Sequence, residues 1–407
     1  MIPKSRTVLI SGASIAGPTL AFWLAHYGFT VTVVERSAAL RLGGQNIDVN
    51  GPARLIAQKM GIEQAIQAAN TGEIGLQFIG QNNQAVASFP KEGAVSGTQE
   101  LEILRGDLVS ILYESTKQNV TYRFGDSITN LEQNPDEVAV TFSSGETENF
   151  QFVVAADGVR SSTRRLVFGE EPVFKYLGLY TAYLTIPRQP TDTNWWRWYT
   201  ALDRRVLMLR PDNQGTMRAS VAFLESDEAY EKLSPAEQKH VLKTKLAGAG
   251  WEADRISHAL DGTPDVYFDK IGQVMAPRWS TGRVAMIGDA AYCPSPLTGK
   301  GTTLAMVGAY LLAGELASHE RHQDAFVAYE KRMRPYVDAV QKLPPGVPWI
   351  VYPRTGWGVS VLNTLAGIFA SQPVQKLVGL FTSTKSGDES NETAIVLPDI
   401  LTGKKQV

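Results

Sequence analysis

Three short stretches of the chain carry residue types at spacings that could do chemistry. The first is Gly12-Ala13-Ser14-Ile15-Ala16-Gly17, directly after the β-branched run 7–11. A loop that binds a dinucleotide needs a tight turn, a close backbone approach to the pyrophosphate and a close helix–strand contact. Gly12 and Gly17 meet the first and third needs. Ser14 stands where the second glycine is usual; it is small, and its hydroxyl can donate to a phosphate oxygen. Glu35 ends the next apolar run, where a carboxylate accepts ribose hydroxyls. The bland reading is a glycine-rich turn, but the order strand, loop, helix, strand, Glu favours a ligand.

The second stretch is "AADGVRSSTR", with Asp157-Gly158 followed by Ser161 and Arg164. Alone it reads as an Asp-Gly turn that caps a helix. The third is "VAMIGDAAYCPSPLTGKGTT", in which Gly288-Asp289 follows a buried strand and Pro294 and Pro296 stiffen a loop. Gly299, Lys300, Gly301 and Thr302 then open a helix whose N-terminus can face anionic or electron-rich groups. The chain offers no Ser-His-Asp set. His26, His240, His258, His319 and His322 form no metal-ligand pattern, and His319 and His322 are expected to complement a helix C-terminus.

These loops need elements to hold them. The pattern predicts a strand at 7–11, a helix at 15–27 closed by Gly28, a strand at 30–34 and a helix at 53–69. Short strands follow at 76–89, a helix at 105–118 and a meander at 137–155. Strands are expected at 173–187, 195–201, 206–210 and 216–223, a polar helix within 227–248 and a strand at 266–271. A buried strand at 284–287 leads into a helix at 302–317, a second helix spans 324–342, and amphipathic helices lie in 359–381. This is an α/β chain: one discontinuous nucleotide domain, an inserted β-sheet domain and C-terminal helices. With 407 residues, 43% hydrophobic and a net charge of −2, it has room for two or three cores and no bulk attraction for nucleic acid or an anionic membrane. The single Cys293 excludes an internal disulfide and suits a cytoplasmic address. No secretory leader or membrane span is expected.

The three stretches, in this order, resemble the motifs of the class A flavoprotein aromatic monooxygenases, which share the p-hydroxybenzoate hydroxylase fold. Asp157-Gly158 with Ser161 and Arg164 looks like that family's DG motif, and Gly288-Asp289 through Pro296 and Gly301 like its GD motif. Arg105 with Leu108 matches an arginine that opens a helix against FAD. "GGQNIDVNG", "EILRGDLV" and "GDAAYCPSPLTGKG" look most like the tetracycline-inactivating and polyketide-hydroxylating branch. The resemblance covers about residues 5–340. It implies an FAD-binding domain from 1–75, 100–172 and 275–342, a substrate domain from 76–99 and 173–274, a C-terminal helical segment at 343–383 and a polar tail at 384–407.

The resemblance implies FAD as cofactor, with Arg36, Gln45 and Asp48 near its ribityl and adenosine parts and Arg105 positioning the flavin. NADPH or NADH would be a transient reductant and O2 the co-substrate. A flavin C4a-hydroperoxide would hydroxylate a small aromatic or polycyclic substrate, and the protein would be a monomer or homodimer. In "NWWRWYT", Trp196 and Trp198 alternate onto one face and, with Met208 and Phe223, are candidates for a substrate wall, although aromatics on a sheet more often serve as core. An FAD-dependent reductase without oxygen insertion is the alternative on the same fold. Three residues depart from the family pattern: Ser14 for glycine, Tyr292 for the histidine after "GDAA", and Lys300 for glutamine. Lys300 opposes a helix dipole, so it either points outward or meets negative charge such as that of a reduced flavin.

Overall fold

The computed structural model describes residues 6–91, 101–226, 228, 230, 232–263, 266–371, 395, 397 and 398. Its first layer is a six-stranded sheet in the order β17 (Ser280–Thr281), β18 (Val284–Met286), β11 (Phe152–Ala155), β1 (Thr7–Ser11), β2 (Thr30–Glu35) and β7 (Thr121–Phe124). All neighbours pair in parallel except β17 with β18. Val8, Leu9, Ile10, Val153 and Val154 are fully buried. A parallel sheet covered on both faces needs uninterrupted apolar strands, and these runs supply them.

α1 (Ala16–His26) crosses from β1 to β2 and packs on α9 (Gly301–Ser318), which in turn packs on α10 (His322–Gln341). α9 is buried along nearly its whole length. The apolar face it presents on every side suits a helix enclosed by neighbours. The expected helix over 53–69 is two pieces, α2 (Pro52–Lys59) and α3 (Glu63–Ala68). The chain turns at Gly61, which has a φ of 73°. α4 (Arg105–Glu114) is shorter than expected, and α5 (Ser162–Phe168) follows β11. A meander of β8 (Ile128–Gln133), β9 (Val138–Phe142) and β10 (Thr147–Phe150) lies beside the first sheet.

The second layer is a seven-stranded sheet drawn from two distant parts of the chain. Its order is β16 (Tyr267–Met275), β12 (Val173–Pro187), β15 (Thr216–Leu224), β14 (Arg205–Pro211), β13 (Trp196–Ala201), β4 (Gly75–Ile79) and β5 (Ala85–Pro90). One face is closed by α6 (Pro235–Leu246) and α7 (Ala253–Gly262), whose Leu242, Leu246, Ile256 and Leu260 pack with Tyr180, Phe223 and Phe268. α7 is a helix that the sequence pattern did not call out. The opposite face carries Trp198, Met208, Ile271 and Tyr352 and meets Leu297 of the first layer. A ribbon of β3 (Asn46–Asp48) and β6 (Glu102–Leu104) joins the layers, with Asn46 Nδ2 donating to the Pro211 carbonyl oxygen.

α11 (Gly356–Ala370) starts earlier than expected, and the remainder of the expected 359–381 segment lies outside the described residues. Within the polar tail of 384–407, the described Ile395 and Leu397 pack against the main core, and Tyr310 Oη donates to the Pro398 carbonyl oxygen at 2.7 Å. His319 accompanies the end of α9 as expected, but His322 begins α10 instead of closing a helix. No described helix is long and apolar enough to cross a membrane.

Candidate active site

The three motif loops, more than 100 residues apart in sequence, leave the carboxyl ends of three adjacent parallel strands. Gly12–Gly17 follows β1, Asp157-Gly158 follows β11 and Gly288-Asp289 follows β18; Glu35 ends β2 on the other side of β1. In an open α/β sheet, ligands bind in the crevice outside the carboxyl ends, where the strand order reverses. β1 is that place: the chain first runs outward from it through β2 and β7 on one side, and later adds β11 and β18 on the other.

Gly12 holds the turn with a φ of 108°, and a side chain there would press within 2.5 Å of the Ala156 carbonyl oxygen. Gly17 lets α1 approach: its Cβ would sit 1.9 Å from the Gly12 carbonyl oxygen. Glu35 is buried, accepting from the Ala13 N–H at 3.0 Å and the Ser37 N–H at 3.1 Å. Ala13, Ser14, Glu35, Leu40, Arg41, Arg105 and Val109 line a crevice in front of this turn. Arg105 Nη1 donates to Ser14 Oγ at 2.9 Å. Ile15 and Ala16 begin α1, and Arg36 is exposed beside Glu35.

Asp157 turns back into its own loop. Its carboxylate accepts from Ser161 Oγ at 2.5 Å and from the Thr163 N–H at 3.1 Å, so it shapes the entrance of α5. Gly158, with a φ of 84°, makes the turn. Arg164 then donates to the Ala290 carbonyl oxygen at 2.9 Å and binds the second motif loop to the third. Asp289 opens the short α8 (Asp289–Tyr292) with its side chain exposed; the protein around it raises its carboxyl by desolvation, against a hydrogen bond from Cys293 that lowers it.

The loop after Asp289 is unusually shaped. Ser295 is almost fully buried with a φ of 80° and a ψ of 144°, a region that glycine favours, while Pro296 and Gly299 are exposed. Strain of this kind collects at ligand sites, and nothing in the residue type of a serine signals it. Lys300 is turned inward: its Nζ lies 3.4 Å from Asn50 Oδ1, which also accepts from Thr303 Oγ1 at 3.2 Å. Thr302 is buried in the first turn of α9. Tyr292 points away from the crevice into the core under α9, where its Oη lies 3.0 Å from Tyr329 Oη and burial pushes its phenol up to about 12. Its departure from the family histidine therefore alters core packing.

Gln45 offers its carbonyl oxygen to the Arg105 N–H at 3.0 Å. Asp48 belongs to a buried charge cluster that sequence reading missed. Arg210 Nε donates to Glu73 Oε2 at 2.8 Å, and Arg210 Nη2 pairs with Glu102 Oε1 at 3.1 Å. Asn46 and Thr71 also donate to Glu102. Burial pushes the Glu73 carboxyl up to about 8, and burial also raises Asp48. Arg210 lies 4.2 Å over the Trp196 ring.

Trp196, Trp198 and Met208 share one face of the second sheet, with Trp198 and Met208 paired directly across β13 and β14. Phe223 is not part of that wall. Met208 pairs with Ser220, and Phe223 lies three positions further along β15, on the opposite face, so its ring lies on the α6 side in a stack with Tyr180 and Phe268. Arg197 and Tyr199 also face the helices, against Trp251.

The residues fit a flavin dinucleotide. The carboxylate at the end of β2, the small-residue turn after β1 and the Arg105 cation suit an adenosine ribose and pyrophosphate. Gly301 has an ordinary φ and open space where a Cβ would be, so the protein itself does not demand glycine there and a close ligand would. Among the described residues no group of three His, Cys, Asp or Glu could hold a metal ion.

A discontinuous Rossmann-like crevice faced by an inserted aromatic sheet defines a flavoprotein of the oxygenase type. Residues 5–343 match the FAD binding domain family. Over 418 residues, 95% of this chain and 96% of the relative, the sequence is 33% identical to a flavin-dependent monooxygenase of a Phoma species. Over 406 residues, 94% of this chain and 97% of the relative, it is 35% identical to a monooxygenase of Cercospora beticola. The crystal structure of tetracycline destructase Tet(55) superposes with a TM-score of 0.80 and 32% identity, covering 98% of this chain and all of that one. The chain belongs to this FAD-binding family, among its flavin-dependent monooxygenases.

Proposed function

We propose that the protein consumes NAD(P)H and O2 to hydroxylate a phenolic or polycyclic aromatic, polyketide-like substrate, tetracyclines included, in the cytoplasm. The observation that carries this is the opposition of two surfaces: four neighbouring strand ends built for a dinucleotide, and the Trp196, Trp198 and Met208 face across from them. The similarity to a tetracycline destructase supports the substrate class. Bound FAD, reduced by the nicotinamide, would supply activated oxygen for insertion into an electron-rich ring.

The chain's own residues do the rest. Glu35 would accept ribose hydroxyls, Ser14 and Arg105 would hold the pyrophosphate, and Asp289 would accept sugar-chain hydroxyls. The indole and thioether surfaces of Trp196, Trp198 and Met208 would enclose the substrate's apolar body and exclude water. A panel of phenols, anthraquinones and tetracyclines tests this reading. At least one is expected to stimulate NAD(P)H oxidation with matched O2 uptake and to yield a product heavier by one oxygen atom. Nicotinamide oxidation with no oxygen incorporated into any substrate would reject it in favour of a reductase.

Lys300 bears on the same chemistry. Its inward ammonium at the start of α9 would favour a reduced, negatively charged flavin, so Lys300→Gln is expected to make the flavin's two-electron potential more negative by about 30 mV, a tenfold change in the equilibrium. Spectroelectrochemical titration reads this shift. An unchanged potential removes the lysine from the cofactor's electrostatics.

A further inference from the structure

Ser14 interrupts a glycine fingerprint, and the geometry around it gives that serine a task. Arg105 opens α4 from the far side of the crevice. Its guanidinium is wrapped by the 41–44 segment: Nε and Nη2 donate to the Gly43 carbonyl oxygen at 3.2 and 2.8 Å, and Nη2 donates to the Arg41 carbonyl oxygen at 2.7 Å. Gly44 lies so close that a Cβ there would come within 2.7 Å of Nε. All these acceptors belong to one side of the fork. The contact on the other side is Nη1 to Ser14 Oγ, at 2.9 Å.

We infer that Ser14 is the anchor that fixes Arg105 across the cofactor crevice, tying the 41–44 segment and α4 to the first turn after β1. A serine hydroxyl has one hydrogen to give and two lone pairs to accept with. Accepting from Nη1 commits a lone pair and leaves the hydrogen for an anionic oxygen in the crevice. Arg105 has five N–H bonds, and the four contacts above leave one on Nη1 without a partner among the described residues. The spare guanidinium N–H and the spare hydroxyl hydrogen sit side by side, which is the donor pair a phosphate group takes up. Burial lowers the Arg105 guanidinium from its ordinary value, as suits a desolvated cation waiting for an anion. A glycine at position 14 would free the backbone and lose both donors' alignment.

The consequence runs against the family pattern: Ser14→Gly, which restores the usual glycine, weakens the protein's hold on FAD. The inference rests on FAD as the ligand of this crevice. The experiment follows flavin release from the holoprotein by recovery of flavin fluorescence on dilution, for wild type, Ser14→Gly, Ser14→Ala and Ser14→Thr. A hydrogen bond involving a charged partner is worth about 1.4 kcal/mol or more, which is tenfold in affinity. Ser14→Gly and Ser14→Ala are expected to hold FAD about tenfold more weakly, and Ser14→Thr, which keeps the hydroxyl, to stay nearer wild type. In the Arg105→Lys background, which lacks the fork, Ser14→Ala is expected to have little further effect. Equal FAD affinity in wild type, Ser14→Gly and Ser14→Ala would overturn the anchor while leaving FAD in place. Wild-type protein that takes up no FAD would overturn the cofactor reading itself, and the anchor with it.

Discussion

Gly17→Ala is expected to cost the protein its cofactor and about 3 kcal/mol of stability, whereas Gly301→Ala should cost the cofactor alone. The two glycines flank the same crevice, but for different reasons. A Cβ on Gly17 would lie 1.9 Å from the Gly12 carbonyl oxygen and 3.4 Å from Ile10 Cγ2. Neither is the far end of a flexible side chain: one is backbone in a turn already held at a positive φ, the other belongs to a fully buried strand. α1 must therefore slide away from β1, disturbing its contact with α9, and overpacking of this kind costs about 1–3 kcal/mol or more. Urea unfolding of the flavin-free proteins reads this term. At Gly301 a Cβ meets nothing within 4 Å, and alanine is the better helix former by up to about 1 kcal/mol. The variant's fold should be as stable as wild type or slightly more so, and its purified form should still be depleted of yellow colour. Full flavin content in Gly301→Ala would mean that no ligand comes near the start of α9.

The parts of this molecule that were legible in the sequence are those where local chemistry has one purpose. The runs at 8–10, 152–155 and 284–286 are apolar without interruption because both faces of a parallel sheet are covered, and each leads to a loop of special residues. That pairing disclosed the dinucleotide crevice. The roles inside the loops were less legible. Asp157 read on its own as part of a turn that caps a helix, and its hydroxyl and amide partners do lie within that turn; only the family resemblance put it near a cofactor. α7 was not expected although Ala253, Ile256 and Leu260 recur at helical spacing. Phe223 was placed on the wrong face because an aromatic in a strand has two choices, and only the pairing register decides between them. The charge cluster of Glu73, Glu102 and Arg210 was invisible for a similar reason. Its members are up to 137 residues apart, and isolated charges in a sequence read as surface until the β3–β6 ribbon and β14 bring them together.

That cluster carries the other large expected effect: Arg210→Met should destabilise the protein by about 3–5 kcal/mol, with a deficit that grows with pH. Glu73 and Glu102 have no exposed side-chain area, and Arg210 is the cation that pairs with both. Removing one partner of a buried ionic cluster leaves uncompensated charge, and costs of that size follow. The pH dependence comes from Glu73, whose carboxyl burial raises from 4.5 to about 8. Between those values the folded protein holds a proton that the unfolded chain has released. Stability from this group is therefore complete below about pH 4.5 and declines toward pH 8 by up to about 1.4 kcal/mol per unit. Arg210 opposes the rise, so its loss carries the Glu73 carboxyl higher and extends the decline above pH 8. At pH 5.5 the Glu73 carboxyl holds its proton with or without Arg210, so the variant should lie nearest wild type; at pH 8.5 the gap should be widest. Glu73→Gln is expected to flatten the wild-type profile over the same range. Unfolding free energies at pH 5.5, 7 and 8.5 decide the matter, and a deficit under about 1 kcal/mol that ignores pH would sink the argument. Because Arg210 also lies over Trp196, any loss of order in the cluster passes to the aromatic wall. A weakened response to substrate in Arg210→Met, with FAD still bound, would show that the wall depends on buried charge as well as on its own packing.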